Sequence, residues 1–176
     1  MWRRLMENTK LILSRRLIIR KFEKEDLEKN LEFIKDSKFF YFTNLETKEE
    51  VIEKVSKFYK EKEDYNFWHI VKKGTNDSIG VIKAFEKNDG VGLFIIINKS
   101  LRNRGYARES LEAVIDYFFT LGEKKEIYLK AEKNNGAFKS IIENLHFKKY
   151  DEDIKYSYYK MDNLDYMKYF AIFGEI

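Results

Sequence analysis

The apolar positions along the chain change their spacing several times, and each change marks a new element. "RLIIRKF" (16–22) is a short run carrying β-branched residues and predicts a first strand. "EKEDLEKNLEFIKD" puts Leu27, Leu31 and Ile34 at i, i+4 and i+7, which predicts a helix. Thr47 and Glu50 form a T-x-x-E capping box, and the helix it opens carries Val51, Ile52, Val55, Phe58 and Tyr59 on one face. "NFWHIVKK" (66–73) and "SIGVIKAF" (78–85) predict two strands joined by the turn "GTND". "VGLFIII" (91–97) is apolar enough for a strand buried on both faces. Ala107, Leu111, Val114, Ile115 and Phe118 then repeat as the core stripe of a helix that starts close to Gly105 and is ended by Gly122. "EIYLKAE" (126–132) predicts a strand, "GAFKSIIENL" (136–145) a short helix, and residues 147–161 two strands or one bent hairpin. The order β-α-α-β-β-β-α-β-α-β-β argues for one mixed α/β domain over residues 1–176.

Composition narrows the picture. With 176 residues, 44% hydrophobic and 36% charged, the chain suits one globular domain with its own core and is too apolar for disorder. The net charge of +4 is spread over both signs and does not imply a nucleic-acid partner. Cysteine is absent, which excludes disulfides and thiolate metal sites. His69 and His146 are the only histidines, so no histidine-based metal cage and no metal cofactor are expected. No run of about 18 apolar residues predicts a membrane span, and "MWRRLMENTKLILSRR" lacks the apolar core of a signal peptide. The expected compartment is the cytoplasm.

The candidate chemistry lies at one junction, "FIIINKSLRNRGYARESLEAVIDYFF" (94–119), where a strand passes through a basic loop into a helix. A helix start offers N–H groups and the positive end of the dipole. Gly105 lacks a Cβ, so backbone there can approach a ligand closely. Arg102 and Arg104 add positive charge, and Ala107 keeps the first turn open. Together these are the physics of a diphosphate site. The plainer reading is a solvated basic turn.

Arg102-Asn103-Arg104-Gly105-Tyr106-Ala107 resembles the Q/R-x-x-G-x-G/A loop of the GCN5-related N-acetyltransferases (GNAT). "LKAEKNNGAFKSIIENLHF" is similar to that superfamily's second signature, with Leu129, Ala131 and Asn135 on its L, V and N and Leu145 and Phe147 on its closing L and F. With "RLIIRKFEKEDL" the resemblance spans roughly residues 11 to 161, which leaves 162–176 as a C-terminal extension. Glu109 and the long helical insert after the first strand look most like the branch that acetylates ribosomal-protein N-termini. The resemblance implies a single-domain fold with a mixed, mostly antiparallel sheet, splayed at the cofactor site and flanked by helices on both faces. It implies acetyl-CoA as co-substrate, with its pyrophosphate on the N–H groups of Asn103, Arg104, Gly105, Tyr106, Ala107 and Arg108. Pantetheine pairs with backbone near Ile95, Ile96 and Ile97 and is held by Asn135. The acceptor is a primary amine, on a small molecule or a protein N-terminus, and attacks the thioester directly.

Several residues depart from the pattern. His146 replaces the glycine of the closing "GF", Phe138 stands where serine is frequent, and Ile142 stands where many members carry a tyrosine that protonates the leaving thiolate. No catalytic acid or base is therefore named, and Tyr158 and Tyr159 are the replacements to inspect. The alternative reading is an acetyl-CoA-binding module of the same fold with weak or no turnover. An RNA-binding use of the basic loop ranks last, for want of stacking aromatics among the arginines. The aromatic stretches "YSYYKM" and "YMKYFAIF" are a candidate homodimer surface, with core packing the favoured use.

Overall fold

The computed structural model describes residues 10–21, 26, 47, 49, 50, 53 and 65–170. Among the described residues, eight strands form one sheet. These are β1 (Ile12–Leu13), β2 (Leu17–Arg20), β3 (Tyr65–Lys72), β4 (Ser78–Lys87), β5 (Gly90–Ile97), β6 (Glu126–Glu132), β7 (Lys148–Glu152) and β8 (Tyr156–Asp162), in the order β1-β2-β3-β4-β5-β6-β8-β7. Three complete α-helices among the described residues accompany them, α1 (Tyr106–Thr120), α2 (Gly136–Asn144) and α3 (Asn163–Tyr169), with a 3-10 turn at Lys99–Leu101. The sheet is mixed: β1/β2, β2/β3, β6/β8 and β7/β8 are antiparallel, while β5/β6 is parallel through Val91↔Ile127 and Gly92↔Tyr128. Backbone contacts divide the chain into two compact units, residues 1–83 with 95–106 and residues 84–94 with 107–176, and the division cuts β4 and β5.

In the first unit, β2 is clamped between β1 and β3, with Ile12↔Ile19 and Ile19↔Ile70 as facing pairs. Leu17, Ile19, Trp68, Ile70 and Ile82 are fully buried, as a strand rich in β-branched residues prescribes. The "GTND" turn closes the β3–β4 hairpin through left-handed Gly74 (φ +84°) and Asn76 (φ +56°). Gly80 is required for a different reason: a Cβ there would stand 2.2 Å from the carbonyl oxygen of Ile96, so β4 and β5 approach closely. The capping box is formed, with the Thr47 N–H donating to Glu50 Oε2 (3.1 Å) and the Glu50 N–H to Thr47 Oγ1 (3.3 Å). The helix predicted from Leu27, Leu31 and Ile34 and the face carrying Val51, Ile52, Val55, Phe58 and Tyr59 lie outside the described residues.

In the second unit, Leu111, Val114, Ile115 and Phe118 of α1 are buried, as their spacing predicts. Ala107 is only half-buried, and the fully buried residue of that turn is Ser110. Gly122 ends α1 by steric demand: a Cβ would press on the Phe118 ring and carbonyl at 3.0 Å, and the left-handed residue is Glu123 (φ +50°). β8 alternates buried and half-exposed positions, with Ser157, Tyr159 and Met161 inward. Its tyrosines are thus divided between core and surface. Residues 147–161 form two strands, with a register shift at Tyr150. β5 departs from full two-sided burial, since Phe94, Ile95 and Ile96 are half-exposed. The residues read as a bare C-terminal extension contain α3, capped by Asp162, whose Oδ1 accepts from the Asp165 N–H at 2.8 Å. Tyr166 of α3 stacks on Phe119 and donates to Asp116. Among the described residues, no helix is long and apolar enough to cross a membrane.

Candidate functional site

The loop between β5 and α1 is built by backbone geometry before any side chain contributes. Asn98 stops the strand: its N–H donates to the Ile79 carbonyl (2.9 Å), and its side chain accepts from Ser100 N–H (3.3 Å). Two left-handed residues follow, Asn103 (φ +60°) and Gly105 (φ +78°). Asparagine and glycine are the residues that adopt this region at least cost. The helix begins at the next residue, Tyr106, and runs for 15 residues. Gly105 thus stands where the sequence puts it, directly at a helix start.

The side chains make the loop basic. Arg102, Arg104 and Arg108 are exposed. Nε of Arg102 donates to the Ile97 carbonyl (3.2 Å), folding that guanidinium back to the end of β5. Nε of Arg108 pairs with Glu112 Oε1 at 2.8 Å, a surface pair one turn along the helix. Sequence reasoning missed Arg16. Its guanidinium lies 4.7 Å from the centroid of the Tyr106 ring, and Nη1 donates to the Arg104 carbonyl at 3.2 Å. No local signal marks this contact, because 88 positions separate the partners.

Ile95, Ile96, Ile97 and Arg102 to Tyr106 fall in the first unit; Ala107, Arg108 and Asn135 fall in the second. Asn135 caps α2, its Oδ1 accepting from Phe138 N–H at 3.1 Å. Ile142, which the resemblance sets at the place of a tyrosine, is fully buried. The tyrosines inspected in its stead are both engaged. The Tyr158 hydroxyl donates to Asp153 Oδ2 (2.6 Å), which pushes its pKa up to about 12. The Tyr159 hydroxyl donates to Glu143 Oε1 (3.3 Å), and burial followed by that carboxylate raises its pKa. The second unit also holds a cavity of about 270 Å³ lined by Arg108, Glu112, Asn144, His146, Tyr169 and Phe170, among others. Among the described residues, no cluster of three or more His, Asp or Glu side chains forms a metal site.

Residues 16–148 match the acetyltransferase (GNAT) domain family model. The chain belongs to the acetyltransferase (GNAT) domain family. It is accordingly an acyltransferase. Solved structures share the GNAT architecture. A GNAT-family acetyltransferase from Bacillus anthracis superposes with a TM-score of 0.74 at 22% identity, covering 88% of this chain and 99% of that one. The spermidine/spermine N-acetyltransferase SpeG from Vibrio cholerae gives 0.71 at 20%, covering 87% and 96%. A candidate ribosomal-protein-serine acetyltransferase, also from Vibrio cholerae, gives 0.70 at 15%, covering 88% and 98%. At these identities the likeness is one of fold. A comparison with curated proteins gives no match.

Proposed function

We propose that this GNAT chain transfers the acetyl group of acetyl-CoA to a primary amine by direct attack, with no covalent enzyme intermediate. The observation that carries the reading is left-handed Gly105 at the first turn of α1, flanked by exposed Arg102, Arg104 and Arg108. A helix start with positive charge around a Cβ-free residue suits a diphosphate. Backbone of Asn103 to Arg108 would hold the pyrophosphate, and backbone at Ile95, Ile96 and Ile97 the pantetheine arm. Asn135 spends its carbonyl oxygen on the α2 cap, so a pantetheine contact there would use its amide nitrogen. The neutral nitrogen lone pair of the acceptor forms the new C–N bond as the C–S bond of the thioester breaks; the nitrogen gives up one proton to solvent, and the CoA thiolate leaves and takes up a proton from water.

A spermidine acetyltransferase and a candidate ribosomal-protein acetyltransferase among the structural relatives keep both a polyamine and a protein N-terminus as acceptor classes. Glu109 following Arg108 supports the second. The absence of a tyrosine at Ile142 favours one further reading, a binding module of low turnover. Release of free CoA across a panel of amines separates the two.

Gly105→Glu tests the cofactor site. It forces a side chain into φ +78° and sends it against the Arg16 guanidinium, 3.3 Å from that Cβ, so the loop backbone that would hold the phosphate must shift. Calorimetry is expected to show no acetyl-CoA binding by this variant; unchanged affinity would refute the assignment.

A further inference from the structure

We infer that Arg16 is a positioning residue of the β5–α1 loop, aiming the Gly105 N–H by holding the carbonyl of the preceding residue. The inference rests on the reading of that loop as the phosphate holder. A trans peptide is planar, so a carbonyl and the following N–H point in opposite directions. Arg16 Nη1 binds the Arg104 carbonyl oxygen at 3.2 Å, which turns the Gly105 N–H away from Arg16. Rotation of that peptide plane is the freedom a glycine-containing loop has most of. A second contact restrains it: the Arg16 guanidinium covers the ring of Tyr106, which is 8% exposed. A third is steric. Nη2 of Arg16 lies 3.3 Å from where a Cβ on Gly105 would stand, so the guanidinium packs on the bare backbone.

Arg16 is itself well anchored. Ser14 and Leu17 close its turn reciprocally, with the Ser14 N–H donating to the Leu17 carbonyl and the Leu17 N–H to Ser14 Oγ, each at 3.1 Å. The Lys73 N–H donates to the Arg16 carbonyl at 2.9 Å. Leu17 is fully buried and opens β2 opposite Lys72. The loop is thus tied to the β2–β3 part of the sheet through one side chain.

The test is calorimetric binding of acetyl-CoA and of S-acetylpantetheine, which lacks the phosphates, by Arg16→Ala and by Arg16→Met, which keeps an apolar stem over Tyr106. Acetyl-CoA affinity is expected to fall about 10- to 100-fold in both, as for a lost hydrogen bond of a charged donor. S-acetylpantetheine affinity is expected to stay within about twofold. Arg16→Lys keeps the charge without the flat fork and should recover little; full recovery would show that charge alone acts and would overturn the positioning role. Equal losses for both ligands would mean general damage to the fold and would also overturn it. If Gly105→Glu abolishes acetyl-CoA binding while Arg16→Ala leaves it intact, this inference fails alone. If Gly105→Glu leaves binding intact, the loop reading has failed first. Arg15→Ala, one residue away and exposed, serves as the unaffected control.

Discussion

Nε2 of His69 lies 2.8 Å from Oγ of Ser78, and Nδ1 of the same ring lies 3.3 Å from Oδ2 of Asp26. The sequence of groups is that of a serine–histidine–aspartate relay, but its chemistry is structural. Both Asp26 oxygens are taken by Arg20, at 2.6 Å and 3.0 Å, so the carboxylate is already neutralised. His69 is 1% exposed and ties β3 to β4 and to Asp26. Burial lowers its pKa from 6.5 to about 4; Asp26 opposes the shift and Arg20 assists it. The folded chain therefore keeps this ring neutral where the unfolded chain protonates it. Between those two values the unfolded state binds more protons, so stability falls as pH drops from 6.5 to about 4. Against a His69→Gln variant, the wild-type advantage in unfolding free energy is expected to shrink by on the order of 3 kcal/mol from pH 7 to pH 4. Urea titrations at both pH values measure it; a gap independent of pH would contradict the assignment of a buried neutral ring.

His146, which the resemblance sets at the glycine of a closing "GF", is left-handed, with φ +63°. The position follows the C-terminus of α2, and its N–H donates to the Glu143 carbonyl at 2.9 Å. A side chain in that conformation costs about 1–2 kcal/mol. Stacking of the imidazole on Tyr169, at 3.9 Å between centroids, offsets part of this. His146→Gly relieves the strain and loses the stack, and should leave the melting temperature nearly unchanged. His146→Ala loses the stack and keeps the strain, and should melt several degrees lower than the glycine variant. Equal melting of the two would show that the backbone conformation carries no penalty here.

What could be read in the sequence was local. β6 occupies the residues that "EIYLKAE" predicts, with Ile127, Leu129 and Ala131 buried. Leu111, Val114 and Ile115 fix the face of α1, and Gly105 fixes its start. What could not be read was non-local. Arg16 on Arg104, His69 between Asp26 and Ser78, and Lys148 on Asp165 join residues whose neighbourhood exists only after folding. Gly122 ends α1 at the place the sequence predicts, but its close approach to Phe118 has no local signature. α3 did carry a usable signal, an aspartate three residues before Asp165, but seven residues are too few for a clear period.

Ile142 bears on the missing acid. A tyrosine placed there would, on the sequence alone, be expected to supply the proton for the leaving thiolate. The residue is 0% exposed, so the larger ring must displace packed neighbours, at about 1–3 kcal/mol. Ile142→Tyr is therefore expected to lower the melting temperature without raising kcat. Tyr159→Phe and Tyr158→Phe remove hydroxyls that already donate to Glu143 and Asp153. A general acid contributes about 10²- to 10⁴-fold; each of these variants should keep kcat within about threefold. A loss of about a hundredfold in either would identify it as the acid.

The acceptor should show itself in the pH profile. An attacking amine reacts only when neutral, and a free alkylamine resembles lysine, with a pKa near about 10.4. At pH 7 roughly one such amine in a few thousand is ready. A protein N-terminus begins near about 8 and needs far less assistance. If the chain supplies no dedicated base, kcat/KM with an N-terminal peptide should rise with pH and level off near the peptide's own pKa. With a polyamine it should keep rising well beyond that point. The measurement is kcat/KM for both acceptors across pH 6 to about 10.5, a span set by those two reference values. A plateau at one shared pH would mean that a group of the enzyme governs deprotonation. None of the named residues would explain it: burial keeps His69 neutral against the pull of Asp26, and the hydroxyls of Tyr158 and Tyr159 already serve Asp153 and Glu143. Such a plateau would direct the search for a base to the residues between Phe22 and Asp64, from which the sequence draws the first two helices.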